Sequence, residues 1–451
     1  MRKETKGSLG PRVFLGPVEV AGYYSNLAKG FRELGVQCTF FTFKPHPFGY
    51  GGEDPKHWIL KLEDKLDSVR SRLPLPQFMK RILGGPSGLL RILWVLTVVF
   101  SHDVFIFGFG RSLTGRSKWD LRLIKFLRKV IVINMAHGSE ARPAYLNGAN
   151  QNPDGKSFST LEKIVESAKS ARDLVLTNER FADYIIGAPY STSYFANKRM
   201  INWFALGVPV DVNLDAIQSE VINDQSSRGD KAAIRILHSP SHPALKGTPE
   251  IIRVVQNLKA KGFPIELILL TGKPHSEVLE EIRKCDFVVD QIYSDTPMAG
   301  FACEAACLRK ASIVGGYGLE ELKGHVPAGM WPPTYICHPN EIQSAIEKLI
   351  EDRCFRDSLA TQAWHFLESH WRADLVASRY LLLANDQVPE DWWIDPMSVS
   401  YLAGGGQKIE RTIEIVREII NIYGVASLQL THRPDLEQAF SELASANSTN
   451  G

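Results

Sequence analysis

Short β-branched and aromatic runs alternate with amphipathic stretches along this chain, and the alternation occurs twice. The first series opens with RVFLGP (12–17), passes through VAGYYSNLAKGFRELG (20–35) and returns to QCTFFTF (37–43), a βαβ opening. DVFIFGFG (103–110), KVIVINMA (129–136), DLVLTNE (173–179) and INWFALG (201–207) read as its later strands. Being apolar on both faces, they suit a parallel sheet covered by helices on each side. The second series runs from IRILHSP through a helix near 249–261, IELILLTG (265–272), a helix in 275–285, DFVVDQI (286–292), a helix in 299–310, ASIVGG (311–316) and TYICHP (334–339). Between the two lies the polar segment 211–233. The pattern predicts an α/β protein with two doubly wound parallel-sheet domains, 1–210 and 234–385, joined by a linker at 211–233. An extension, 386–451, follows, and its helix at 408–424 carries an apolar face (Ile409, Ile413, Ile415, Val416, Ile419, Ile420) that needs a partner, internal or from a second chain.

Charge divides the same way. The formal net charge is +2, but residues 1–210 hold 30 Lys+Arg against 17 Asp+Glu, or +13, leaving −11 for 211–451. The two halves are therefore expected to meet different partners. The longest apolar run, ILWVLTVVF (92–100), is far short of the roughly 20 residues that cross a bilayer, and the basic N-terminus has no signal-peptide core. Six cysteines with no CxxC spacing lead us to expect reduced thiols in a cytoplasmic protein. Nucleic acid is not an expected partner, since no recognised module occurs and the second half is acidic.

In doubly wound sheets ligands sit at the carboxyl ends of strands, so four loops carry the chemistry. The first, GPVEVAGYYSN, has Gly16 and Gly22 before a helix whose free amides and positive dipole end suit a phosphate. The second, NMAHGSEARP (134–143), places His137, Glu140 and Arg142 past a buried strand: an imidazole that can donate to an oxyanion or take a proton, and a guanidinium that can hold a phosphate or carboxylate. The third, HSPSHPALKGTPE (238–250), puts Lys246 and Gly247 just before a helix expected to be capped by Thr248, with Pro249 at its first position. An ammonium beside free amides can receive a departing diphosphate. In the fourth (293–316), small Ala299 and Gly300 let amides approach a ligand, and Glu304 can accept two hydrogen bonds from a cis-diol or serve as a first-turn carboxylate.

These stretches, RILHSPSHPALKGTPEIIRVVQNLKAKG, GKPHSEVLEEIRKCDFVVDQI and GFACEAACLRKASIVGG, resemble in order and spacing the nucleotide-sugar domain of family 4 type (group 1) glycosyltransferases. The resemblance covers most of 12–385; in the first half it rests on GPVEVAGYYSNLAKGF and HGSEAR. It implies the GT-B fold, two facing Rossmann-like domains, the first on the acceptor side and the second binding the donor, to which the extension 386–451 adds a helical C-terminal tail. It also implies that Lys246 holds the donor diphosphate, Glu304 the ribose, that Gly22 faces the phosphates and that His137 lies near the transferred sugar. Tyr23, Glu140 and Arg142 are expected on the acceptor side. The implied activity is a retaining hexosyl transfer from a UDP- or GDP-linked sugar to a glycan or lipid-linked acceptor of a cell-surface polysaccharide. No cofactor is expected and, with no D-x-D in the chain, no metal. Thr296 stands where the family has its first glutamate, beside Asp295, and Ser241, His242 and Pro243 stand where an arginine usually precedes the lysine. Those departures leave open a non-catalytic nucleotide-sugar or glycan-binding protein, and a nucleotide-sugar 2-epimerase is a further alternative.

The basic half offers one more feature. Between Asp67 and Asp103 there is no acidic residue, while Arg70, Arg72, Lys80, Arg81 and Arg91 interleave with large apolar side chains. Segment 68–102 is expected either to lie on the anionic inner face of a membrane or clasp a lipid pyrophosphate, or to form a helical hairpin over the sheet with a solvated basic rim. A second basic group (Arg116, Lys118, Arg122, Lys125, Arg128, Lys129) follows it.

Overall fold

A computed structural model describes residues 10–44, 56–72, 85–150, 159–211 and 233–446. The linker expected at 211–233 thus lies almost wholly outside the described residues, as do Lys80 and Arg81. The first half runs β1 (Val13–Gly16), α1 (Tyr23–Glu33), β2 (Cys38–Phe40), α2 (Trp58–Arg72), α3 (Gly85–Ser101), β3 (Val104–Phe107), α4 (Trp119–Phe126), β4 (Val130–Asn134), α5 (Leu161–Phe181), β5 (Tyr184–Gly187), β6 (Met200–Asn202) and α6 (Trp203–Leu206). The second runs β7 (Ile234–His238), α7 (Pro243–Lys246), α8 (Thr248–Ala260), β8 (Ile265–Leu269), α9 (His275–Lys284), β9 (Phe287–Gln291), α10 (Gly300–Cys307), β10 (Ala311–Gly315), α11 (Leu319–Leu322), β11 (Tyr335–Cys337), α12 (Ile342–Glu351) and α13 (Arg353–Phe366). Then come α14 (Ala373–Ala384), β12 (Trp393–Ile394), α15 (Ile409–Tyr423) and α16 (Pro434–Ala446).

Two sheets result, ordered β12-β6-β5-β4-β3-β1-β2 and β11-β10-β9-β7-β8. All pairings are parallel except β12 against β6. β1, β3, β5, β9 and β10 are buried at every position, the mark of strands covered on both faces. This is the expected α/β class, two doubly wound sheets with a helical C-terminal region. Strand order reverses beside β1 in one sheet and beside β7 in the other, so crevices open at β1/β3 and β7/β9.

Two expected strands are corrected. DLVLTNE (173–179) belongs to α5, because Ile164, Ala168, Ala171 and Val175 keep one buried face at helical spacing from the Thr160 cap onward. The strand is instead YIIG (β5). INWFALG divides at Asn202, whose side chain accepts the Phe204 N–H at 3.1 Å and starts α6.

The span expected as the second domain also divides. After Trp371 the chain returns to the first sheet, where α14 packs on α1 so closely that a Cβ on Gly30 would lie 2.0 Å from the Ala373 carbonyl oxygen. The Tyr23 and Tyr380 hydroxyls share a hydrogen bond of 3.0 Å across this contact. Beyond α14, β12 adds an antiparallel edge, and Ile415, Val416 and Ile419 of α15 join the core of the first domain. The apolar face of α15 therefore has an internal partner.

Candidate functional site

The loops leaving the carboxyl ends of the two sheets meet. A Cβ on Gly300 would lie 3.9 Å from that of Ala21, and Arg142 of the first domain pairs with Asp295 of the second. Between them runs a cleft of about 310 Å³ lined by Ala21, Lys246, Asp290, Gly300 and Glu304 among others. A neighbouring space of about 550 Å³ shares Ala21, His275, Gly300 and Glu304 and extends along Gly22 toward Lys29 and Arg32.

Lys246 ends the single turn α7, and Gly247, at φ +73, breaks the helix before α8 begins. Only glycine fits there, since a Cβ would meet Ile292 Cγ1 at 2.2 Å. Thr248 is not the expected cap. Its hydroxyl donates to His238 Nε2 at 2.8 Å, while His238 Nδ1–H donates to the Val289 carbonyl at 2.7 Å. That arrangement fixes the tautomer, and burial lowers the His238 pKa to about 4, so this histidine is a neutral strut of the strand ends. The Lys246 ammonium reaches Gln291 Oε1 at 2.5 Å and lies 3.7 Å from Asp290 Oδ1. Asp290 is 2% exposed, and its other oxygen has no partner among the described residues. Gln291 Nε2 in turn donates to Ser294 Oγ at 2.7 Å. Asp290 and Gln291 were legible only as the end of a buried strand; polar side chains closing an apolar run were the signal.

α10 starts at Gly300 from the extended Ala299, with no side-chain cap. Its dipole end is open to the cleft wall that Lys246 also lines. Glu304 is a full turn in, and its Oε1 meets His275 Nε2 at 2.9 Å, so it acts as a positioned acceptor rather than a cap. His275, first residue of α9, was not picked out from the sequence.

At α1 the helix start differs from the expectation. Gly22, at φ +83, turns the chain, but the amides of Tyr24 and Ser25 donate to the buried Glu19 carboxylate at 3.2 and 2.9 Å. A protein carboxylate occupies the place foreseen for a phosphate, so the dipole end facing the cleft is that of α10.

His137 packs against Tyr23, Tyr24 and Phe109, with Nε2 2.8 Å from the Tyr24 hydroxyl. Burial lowers its pKa to about 4. It is thus a neutral hydrogen-bonding group at pH 7 and does not titrate near neutrality as expected. Glu140 Oε1 accepts the His137 N–H at 2.8 Å, Oε2 has no partner among the described residues, and burial raises the Glu140 pKa to about 7. Two other residues expected on the acceptor side are committed internally. Tyr23 donates to the Gly207 carbonyl at 3.1 Å and bonds Tyr380, away from the cleft. Arg142 is consumed by Asp295, the neighbour of Thr296. Gly405, in the segment Ala403–Gly406, passes against that ion pair, and its amide donates to the Leu146 carbonyl at 3.1 Å. No cluster of three or more His, Cys, Asp or Glu side chains able to hold a metal occurs among the described residues.

No protein-family model matches the chain, and no curated protein matches it. Several solved structures are similar. Anabaena Alr3699/HepE in complex with UDP and glucose is 15% identical, covering 82% of this chain and 98% of that one, with a TM-score of 0.45. Sucrose-phosphate synthase from Thermosynechococcus elongatus is 11% identical over 84% and 99%, at 0.43. An α,α-trehalose 6-phosphate synthase from Burkholderia multivorans is 8% identical over 83% and 96%, at 0.45.

Proposed function

We propose that this protein is a glycosyltransferase that takes a sugar from a nucleoside diphosphate and binds that donor between Lys246, the start of α10 and Glu304. The observation that carries the reading is the convergence of an ammonium, an uncapped helix N-terminus and a positioned carboxylate on one interdomain cleft. The ammonium and the helix dipole would neutralise the diphosphate as it departs, and Glu304, steadied by His275, would accept the ribose hydroxyls. His137, neutral, would offer a hydrogen bond to the transferred sugar from the opposing domain. This reading assigns no carboxylate of the described residues as a covalent nucleophile, so acceptor attack on the face that the diphosphate leaves would retain configuration.

The family 4 resemblance, a UDP- or GDP-linked donor, a glycan or lipid-linked acceptor and a cytoplasmic location belong to the same proposal. A non-catalytic binding role draws on Asp295 being committed to Arg142 where a donor-sugar carboxylate would be wanted. One experiment separates the two. Binding isotherms and nucleotide release are measured with UDP-, GDP- and ADP-sugars, with and without EDTA, for the wild type, Glu304→Ala and Lys246→Ala. Transfer predicts one nucleotide class, release insensitive to EDTA, and binding about 10- to 100-fold weaker in the variants, the loss of one charge-assisted hydrogen bond. Binding without release favours the non-catalytic role, and no binding of any nucleotide refutes both.

A further inference from the structure

The first domain leaves an apolar surface uncovered on α2 and α3. Their inner sides are ordinary core: Trp94, Val95, Val98 and Val99 are buried, with the Trp94 ring 4.6 Å from that of Phe41. The two helices are pinned to each other by Arg91–Glu63 at 2.7 Å and by Ser87 donating to Asp67 at 2.7 Å. Their outer sides are not ordinary. Of the fifteen large hydrophobic side chains exposed among the described residues, eight lie on these two helices, so the exposure is concentrated rather than scattered. Trp58 is 66% exposed, Val69 59%, and Leu89 and Phe100 58% each. At about 100° per residue, Trp58, Leu62, Leu66 and Val69 fall within an arc of about 80° on α2. Leu89, Ile92, Leu93 and Phe100 fall within about 100° on α3. These are stripes, the pattern of a surface that meets something apolar.

Charge identifies what it meets. Beside the α2 stripe run Lys61, Lys65 and Arg72, exposed and in no ion pair among the described residues. The acids of α2 are spent, Glu63 on Arg91, Asp64 on Lys56 and Asp67 on Arg70. A second copy of this chain on the same face would set like charges against each other. An anionic bilayer satisfies both features at once: the stripes enter the boundary between headgroups and acyl chains, Trp58 sits at the interface, and the lysines meet lipid phosphates. No helix among the described residues is long and apolar enough to cross a membrane, so the contact inferred here is in the plane.

We propose that the outer face of α2 and α3 binds the surface of an anionic lipid bilayer. The inference stands independently of the donor chemistry. It is tested by co-sedimenting the full chain with vesicles of phosphatidylcholine alone or mixed equally with phosphatidylglycerol. Leu89→Glu/Leu93→Glu, at exposed positions, should leave the thermal melt unchanged and weaken partitioning at least about tenfold. Lys61→Glu/Lys65→Glu should abolish the preference for phosphatidylglycerol, and salt should act likewise. Failure of the wild type to sediment with the anionic vesicles, or equal sedimentation of wild type and leucine variant, overturns the proposal. So does self-association of the wild type that the leucine variant loses. Nucleotide binding in the same samples should not change, which separates a failure here from a failure of the donor reading.

Discussion

Replacing Glu140 by glutamine should change how stability depends on pH. Glu140 is 6% exposed and its pKa is raised to about 7 by burial. Between about pH 4.5 and 7 the folded state therefore holds a proton that the unfolded chain has released, and stability falls as pH rises through that window. Taking about 4.5 unfolded and about 7 folded, linkage gives a penalty of about 0.8 kcal/mol at pH 5 and about 3.3 kcal/mol at pH 8. His137 and His238 work in the opposite direction. With pKa values lowered to about 4, they make the fold more stable as pH rises from 4 to 6.5. The wild-type profile mixes these slopes, but the difference between Glu140→Gln and wild type isolates the carboxyl, because the amide oxygen can still accept the His137 N–H. Urea midpoints from pH 5 to 8, at constant m, should show the variant gaining about 2.5 kcal/mol on the wild type across that interval. Parallel profiles would mean that Glu140 ionises normally and that its surroundings are wetter than its burial implies.

Three further outcomes follow from the packing. Gly30→Ala should lower stability by about 1–3 kcal/mol or more by forcing α14 away from α1, seen as a lowered thermal midpoint; an unchanged midpoint would refute that contact. Arg142→Met should cost about 3–5 kcal/mol by stranding Asp295, and adding Asp295→Leu should restore most of it, so a double variant no better than the single one would show that the pair is not coupled. Gly247→Ala strains a positive φ and pushes on Ile292, so nucleotide affinity should fall with Lys246 itself intact, measured by the same isotherms.

Much of this architecture was legible because it is local. Continuous β-branched and aromatic runs and period-3.6 apolar patterns put ten strands and the helices α1, α8, α9, α10 and α15 near their places, and the loops after β7 and β9 line the interdomain cleft, as expected of strand ends in doubly wound sheets. Where local patterns overlap, the reading went wrong. DLVLTNE satisfies a strand run, and only its continuity with Ile164, Ala168 and Ala171 over a buried face makes it helix.

Two members of the second basic group have internal tasks. Lys118 Nζ is buried on the Gly110 carbonyl and Asn178, and Lys129 Nζ closes the end of α3 on the Val99 and His102 carbonyls, tasks that no sequence spacing announces.

What the sequence by itself determined is the pair of doubly wound sheets and the placing of Lys246, Gly300 and Glu304 at strand and helix ends, since backbone geometry and apolar period are properties of short segments. Tertiary structure alone decided which charges remain available. Glu19 takes the amides of α1, Asp295 takes Arg142, and Tyr380 takes Tyr23, each across a separation in sequence that local pattern does not encode. It also decided that α14 and α15 return to the first domain, because Gly30 leaves a gap only a backbone can fill and the face of α15 finds its partner there.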